Sequence, residues 1–371
     1  MSTYRSASSR SKGSHDSGHD SSRDRSRDRS TRNDSDSARR VPVGAALAGI
    51  GLLASWLFVR AKTRRAEREH PPAGRFITVD GVRLHYLERG TGPALVLLHG
   101  NGVDAADWVH SGLFDAAAER YRVIAFDRPG FGYSARPRST LWTPAHQARL
   151  LHHALEQLGV DSAIVVGHSW GALVALAMGL RAPDFVRGLV LVSGYYYPNL
   201  RLDALVAAPP AVPLLGDALR YTVAPLAGRL IWPAAAGWAF APLPVSERFR
   251  QGSPWMALRP GSLRASAADA TLMGPATMAM SQRYGRLKVP VQILAGTQDG
   301  VCDCAHHSER LYAALPHSEL SVTPGVGHML HYAEPGKVLG AIDAIAAQAG
   351  APARPPGPRE NARAAAAESG V

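Results

Sequence analysis

The sequence predicts an α/β protein: a mostly parallel, doubly wound sheet with helices on both faces, an inserted helical cap, and an N-terminal transmembrane helix. Three observations predict it. Short β-rich runs alternate with helical stretches from Arg75 onward, four of those runs are almost wholly apolar, and residues 41–59 carry no charge. A strand covered on both faces by crossover helices has no polar side to show. Leu95-Val96-Leu97-Leu98, Ile164-Val165-Val166, Leu189-Val190-Leu191-Val192 and Val291-Gln292-Ile293-Leu294 read that way. Strand–helix alternation around such runs implies a parallel sheet sandwiched between helices.

Taken in order, residues 1–40 are Ser, Arg and Asp with almost nothing apolar. Such a stretch cannot bury enough surface to offset its ordering entropy and is expected to be a disordered basic tail. Residues 41–59 follow; at about 1.5 Å per residue they span about 28 Å, close to the hydrocarbon thickness of a bilayer. Arg39-Arg40 on one side and Arg60, Lys62, Arg64 and Arg65 on the other bracket the run, and Trp56 sits near one end as an interfacial anchor would. No small-x-small cleavage pattern follows it, so an uncleaved single-span anchor is expected rather than a signal peptide. Five Lys or Arg lie within fifteen residues on each side, and the positive-inside rule assigns no orientation.

Strands are expected at Arg75–Val79, Val82–Glu88, Ala94–His99, Arg122–Asp127, Ala163–His168, Gly188–Ser193, Val291–Ala295 and Glu319–Thr323. Thr143-Pro144 supplies an N-cap and an N1 proline for a helix running to Leu158 and closed by Gly159. Further helices are expected near 171–181, 305–315 and 335–347. The core thus comprises 75–194 and 286–348. From 195 to 285 the alternation stops, and Trp232, Trp238, Phe240 and Trp255 among many Pro and Ala indicate a largely helical cap. Residues 349–371, rich in Pro and Ala, are expected to form a second loose tail.

Charge excludes one class of function. The formal net charge is +11, but residues 1–75 carry 16 Lys+Arg against 8 Asp+Glu, so the rest of the chain is close to neutral. A nucleic-acid groove needs its excess on a folded face, and no nucleic-acid partner is expected; a tail that contacts RNA would show itself as salt-sensitive binding by residues 1–40. The two cysteines, Cys302 and Cys304, are too few for a disulfide scaffold. Cys302-x-Cys304-x-His306-His307 brings ligand types close together, but a loop leading into a helix is the simpler account. No metal and no cofactor are expected.

The chemistry concentrates at Gly167-His168-Ser169-Trp170-Gly171, between an apolar strand and a helix. Glycines two before and two after the serine let the backbone turn sharply, so that Oγ projects from the top of the sheet. Here the chain resembles the α/β-hydrolase fold family, over roughly Phe76 to Ala347. Three further landmarks match in order: His99-Gly100-Asn101-Gly102 resembles that family's oxyanion loop, Asp127-Arg128-Pro129-Gly130-Phe131-Gly132-Tyr133-Ser134 its Asp-x-x-Gly-x-Gly-x-Ser turn, and an acid and a histidine follow the last two strands at Asp299 and His328.

The resemblance implies Ser169 as nucleophile, His328 as base and Asp299 as the orienting acid. Asp303 competes in the same loop, but it adjoins the helix start, where an aspartate commonly caps. The backbone N–H groups of Asn101 and Trp170 are the expected oxyanion donors. Trp108, Tyr195, Tyr196, Trp238 and Trp255 are candidates to line an aromatic substrate pocket. The expected function is a membrane-anchored, single-pass serine hydrolase acting on an ester or related carbonyl compound with an apolar portion. Hydrolysis of a carbon–carbon bond in a ring-cleavage diketone, cofactor-free perhydrolysis, and a catalytically silent binding protein on the same fold are the alternatives.

Overall fold

A computed structural model describes residues 43–199, 208–348 and 350 of the chain. The expected tails at 1–40 and 349–371 therefore lie outside the described residues, Gly350 excepted. The chain divides into two units, Met1–Ala48 and Gly49–Val371; of the first, only the beginning of a helix is described. That helix, α1, runs Val43–Glu69. It is long and apolar enough to be a candidate membrane span, and only 6% of its most apolar 18-residue stretch is buried. A core helix of a soluble protein would be mostly buried.

Eight strands form one sheet in the order β1-β2-β4-β3-β5-β6-β7-β8. They are β1 (Arg75–Val79), β2 (Val82–Arg89), β3 (Ala94–Leu98), β4 (Arg122–Phe126), β5 (Ala163–His168), β6 (Val186–Val192), β7 (Val291–Gly296) and β8 (Ser318–Thr323). The β1–β2 hairpin pairs antiparallel with β4, and β4, β3 and β5 to β8 run parallel. The longer helices of the body are α2 (Pro144–Gln157), α3 (Trp170–Arg181), α4 (Leu215–Tyr221), α5 (Val223–Phe240), α6 (Pro260–Ser281) and α7 (Pro335–Gln348).

The apolar strands bury alternate residues on opposite faces. Val96, Leu98, Val165, Leu189 and Leu191 pack with Leu151 and Leu155 of α2 and Leu173 and Leu176 of α3. Leu95, Leu97, Ile164, Val166, Val190 and Val192 pack on the other side with Trp108, Phe114 and the α7 residues Val338, Ile342 and Ile345. The sheet is doubly wound, as its lack of a polar face requires. Helix α2 begins as its sequence dictates: Thr143 Oγ1 accepts from His146 N at 3.2 Å, with Pro144 at N1.

Most strand and helix bounds of the body fall within one residue of expectation, and two elements differ by more. Strand β6 starts two residues earlier and stops before Ser193, whose φ of 47° leaves the extended region. The stretch expected as one helix over 305–315 is a π-helical turn, Ala305–Glu309, followed by one short α-helix, Arg310–Ala314. Helices α4, α5 and α6 are inserted between β6 and β7 and make the cap. The second half of α1 is seated on this body: Val59 and Ala66 are buried, Ser55 Oγ donates to Thr222 O at 2.9 Å, and Phe58 meets Trp255 edge-on at 6.2 Å.

The turn after β4 is tied to its neighbours by one buried carboxylate. Asp127 Oδ2 accepts from His85 Nδ1 and from Tyr133 N, both at 2.7 Å, and Oδ1 accepts from Ala105 N at 2.9 Å. Burial by itself would raise the carboxyl pKa; the hydrogen bonds from His85, Ala105 and Tyr133 overcome it and hold the group below its ordinary value. Gly132 has a φ of 48°, and a Cβ there would stand 1.9 Å from Asp127 Oδ2. Gly132→Ala is expected to lower stability by about 3 kcal/mol through strain and overpacking combined. Urea unfolding of the full-length protein in detergent measures this, and an unchanged midpoint would refute the account of the turn.

Candidate active site

The loops that follow the parallel strands all emerge at one edge of the sheet, the carboxyl edge where such sheets place their ligands. Ser169 follows β5 with φ 54° and ψ −118°, between an extended residue and the first turn of α3. The turn is possible because nothing larger than hydrogen fits beside it: a Cβ on Gly171 would stand 2.1 Å from Leu98 O. Ser169 N donates to Val192 O at 3.0 Å, extending the β5–β6 ladder to the turn itself.

The loop after β3 lies against this turn. A Cβ on Gly100 would stand 3.3 Å from Ser169 Cβ and 2.9 Å from His168 Nδ1. Asn101 follows, its Nδ2 donating to Ser266 O of α6 at 3.1 Å, so the loop is attached to the cap as well. Trp170, fully buried, opens α3. The loop after β7 carries Asp299, whose Oδ1 accepts from Val301 N at 2.8 Å and Cys302 N at 2.7 Å. Its Oδ2 is 2.9 Å from His328 Nδ1, on the loop after β8. A carboxylate only accepts, so Nδ1 carries the proton and Nε2 is left as the basic nitrogen. Asp303 lies elsewhere: its Oδ1 accepts from His306 N at 2.7 Å, in the manner of a cap.

Three other histidines surround the site and are engaged structurally. His99 donates from Nδ1 to Gly100 O at 2.7 Å and accepts at Nε2 from Arg128 N at 2.9 Å. Burial, with the Arg128 charge, lowers its pKa to about 3. His168 donates to His328 O at 3.1 Å, and burial followed by the neighbouring His331 and His328 pushes its pKa well down. His331 donates to Asp107 Oδ2 at 2.9 Å. Asp107, His168 and His331 bring possible metal-ligand atoms within 4.8 Å of one another, as do Asp299, Cys302 and His328. In both groups the carboxylate already accepts from a ring nitrogen. The Cys302–His307 stretch does not converge: His306 faces Pro198 O, Tyr196 N donates to His307 Nδ1, and Cys304 Sγ faces Glu309.

The aromatic residues singled out from sequence fall in different places. Trp108, Tyr195 and Tyr196 are fully buried, and Trp108 packs on His331 with ring centroids 5.0 Å apart. Trp238 is half-exposed beside Gly300, next to the Asp299 loop. Trp255 packs on Phe58 of α1. A cavity of about 300 Å³ beside the loop that carries Asn101 is bordered by Val103, Val109, Trp232, Phe249 and Met256; neither the five aromatics nor Ser169, His328 and Asp299 line it.

Sequence reasoning missed the residue that fixes the Asn101 loop. Arg128 is fully buried; its Nε donates to His99 O at 2.8 Å and Nη2 to Gly100 O at 3.0 Å. Nη1 donates to Gln147 Oε1 at 2.9 Å and to Asp269 Oδ2 of α6 at 2.7 Å, while Arg136 holds the other Asp269 oxygen at 2.8 Å. The available signal was a lone acid in an apolar helix, Ala267-Ala268-Asp269-Ala270, which has to find a cation if it is buried.

Residues 93–335 match the family model described as alpha/beta hydrolase fold. An uncharacterized protein of Mycobacterium tuberculosis is 29% identical over 279 residues, 74% of this chain and 81% of the relative. Haloalkane dehalogenase 2 of the same species is 27% identical over 285 residues, 74% of this chain and 94% of that protein. Two solved structures share the fold. The epoxide hydrolase CorEH matches with a TM-score of 0.61 at 23% identity, over 74% of this chain and 99% of its own. A membrane phospholipase A described as a bacterial virulence factor matches with a TM-score of 0.58 at 22% identity, over 83% of this chain and 96% of its own.

The buried pair makes a prediction. Asp269→Ala leaves the Arg128 guanidinium out of water without its counter-charge, and a loss of about 3–5 kcal/mol is expected. Urea unfolding checks it, and a loss under 1 kcal/mol would show that the pair does not hold the cap to the loop.

Proposed function

Because the chain belongs to the alpha/beta hydrolase family, we propose that it is a membrane-anchored serine hydrolase cleaving a carboxylic ester with an apolar acyl portion, through an acyl-enzyme on Ser169. The arrangement that carries this reading is a serine held at φ 54° on a strand-to-helix turn, with an imidazole–carboxylate pair on the loops after the last two strands of the same sheet. A serine hydroxyl attacks only when a base removes its proton. His328 Nε2 is that base, Nδ1–H being held by Asp299, which also stabilises the imidazolium that forms. The ester carbonyl oxygen gathers charge as the bond to Oγ forms, and the N–H groups of Trp170 and Asn101 receive it. His328 then protonates the departing alkoxide. Water, deprotonated by the same imidazole, releases the acid and restores Ser169.

The identity of the nucleophile separates this chain from the reactions named for two of its relatives. A carboxylate that displaces halide or opens an epoxide leaves an ester on the enzyme, which water can cleave. A serine doing the same would leave an ether, which water does not cleave under these conditions. Serine at 169 therefore favours attack on a carbonyl carbon.

Several features support the membrane part of the reading. The charge-free part of α1 is exposed along Ile50, Leu52, Leu53, Leu57 and Phe58. The cap helix α5 exposes Leu226, Leu230, Ile231 and Trp238, an apolar surface of the kind that marks an interaction site. The membrane phospholipase A also covers a larger share of this chain than the epoxide hydrolase does, 83% against 74%.

A fluorophosphonate probe and p-nitrophenyl esters of graded chain length test the proposal. Ser169→Ala is expected to abolish labelling and to reduce kcat by about 10⁴-fold or more, with unfolding little changed. Asp299→Asn should lower kcat by a comparable factor. Asp303→Asn should cost about 1 kcal/mol of stability and leave kcat within a small factor. A Ser169→Ala enzyme that still turns over these esters would overturn the assignment.

A further inference from the structure

A second and larger cavity, of about 660 Å³, lies away from Ser169, His328 and Asp299. Its walls are the second half of α1, the turn after β4 and the start of α6, and six arginines line it: Arg60, Arg64, Arg83, Arg136, Arg259 and Arg264. Among the described residues that line it, Glu67 is the one carboxylate. Two of the arginines are neutralised: Arg136 by Asp269 at 2.8 Å and Arg259 by Glu67 at 3.2 Å. For Arg60, Arg64, Arg83 and Arg264 no ion pair is found among the described residues. Like charges gathered around one cavity repel, and an anion among them would relieve that repulsion. Burial, then the charges of Arg138 and Arg220 outside the cavity and of Arg136 within it, draw the Arg264 pKa below the ordinary value.

Basic residues at the end of a membrane span are common and by themselves mean only an interfacial flank. That accounts for Arg60 and Arg64, which follow directly on the charge-free stretch of α1. It does not account for Arg83 on β2 or Arg264 on α6, which come from the body and face the same space. Arg60 also lies over the face of the Trp56 ring, 5.1 Å from its centroid, and both residues line the cavity. Guanidinium forks match the oxygens of a phosphate group bidentately, and a phosphate offers more oxygens than a carboxylate for several of them to share.

We propose that this cavity binds a phosphate group, carried either by an anionic lipid headgroup or by a free phosphate ester, between Arg60, Arg64, Arg83 and Arg264. The lipid source suits the position of the cavity, at the level where the first charged residue follows the apolar run. Binding here is separate from hydrolysis, and its test does not depend on turnover.

The experiment uses the full chain in a zwitterionic detergent at constant ionic strength. Dihexanoyl phosphatidic acid, dihexanoyl phosphatidylcholine and inorganic phosphate are titrated separately by calorimetry. Saturable binding of the phosphatidic acid alone supports the proposal with a lipid source; equal binding of inorganic phosphate supports it with a free phosphate. Loss of a charge-assisted bond weakens binding by about tenfold per arginine, so Arg64→Gln with Arg264→Gln should cost about a hundredfold. Arg83 is exposed, and Arg83→Gln, with its unfolding midpoint checked against wild type, should cost about tenfold by itself. No saturable binding by wild type, or wild-type affinity in the Arg83→Gln protein, would overturn the proposal.

Discussion

A guanidinium taken fully out of water has to be supplied with acceptors, and Arg128 obtains them from three separate parts of the chain. Two carbonyls come from the loop after β3, an amide oxygen from α2 and a carboxylate from α6. An unpaired charge in that position would cost several kcal/mol, so each partner is held as firmly as Arg128 is. The loop facing Ser169 therefore has its carbonyls turned inward toward Arg128, and its conformation depends on a helix of the cap. The sheet alone would leave that loop free to relax. The cap thus belongs to the machinery of the site as well as covering it.

The same logic runs through the Asp127 turn. One carboxylate gathers a histidine from β2 and two backbone N–H groups from different loops. Ser134 adds a second tie, its Oγ donating to Asp127 O at 2.7 Å and accepting from His85 N at 2.9 Å. Asp127 and Ser134 are part of the motif by which the family resemblance is recognised, and their hydrogen bonds go to His85, Ala105, Tyr133 and each other. Their role is to fix the edge of the sheet, so that the strained conformation of Ser169 is set by surroundings that do not yield.

The central strands were legible because burial on both faces leaves a run of apolar residues with no competing interpretation, and Val96, Val165 and Leu191 lie where such runs place them. The turn at Ser169 was legible for a similar reason: steric need fixes glycine on both sides. What escaped the sequence was long-range pairing. Arg128 and Asp269 are 141 positions apart, and nothing local marks either as a partner of the other. The placement of the cap aromatics is likewise set by helix packing, which no local pattern shows: Trp232 borders a cavity and Trp255 packs on Phe58. Helix α1 runs ten residues beyond its apolar stretch to Glu69 because Arg, Lys and Glu are good helix formers. Arg65 and Glu69 also pair one turn apart at 2.7 Å.

That unbroken helix has a mechanical consequence. An anchor joined to its catalytic body by a loop lets the body swivel, and every orientation is sampled in turn. From Gly49 onward the helix passes from residues exposed at Leu52, Leu53 and Leu57 to a seated stretch, fastened by Ser55 to Thr222 and by Glu67 to Arg259. If a bilayer grips the first part, its tilt is handed on to the body as through a stiff lever. The mouth of the site would then keep one bearing toward the lipid surface, fixed by the pitch of a single helix and open to adjustment by anything that changes bilayer thickness.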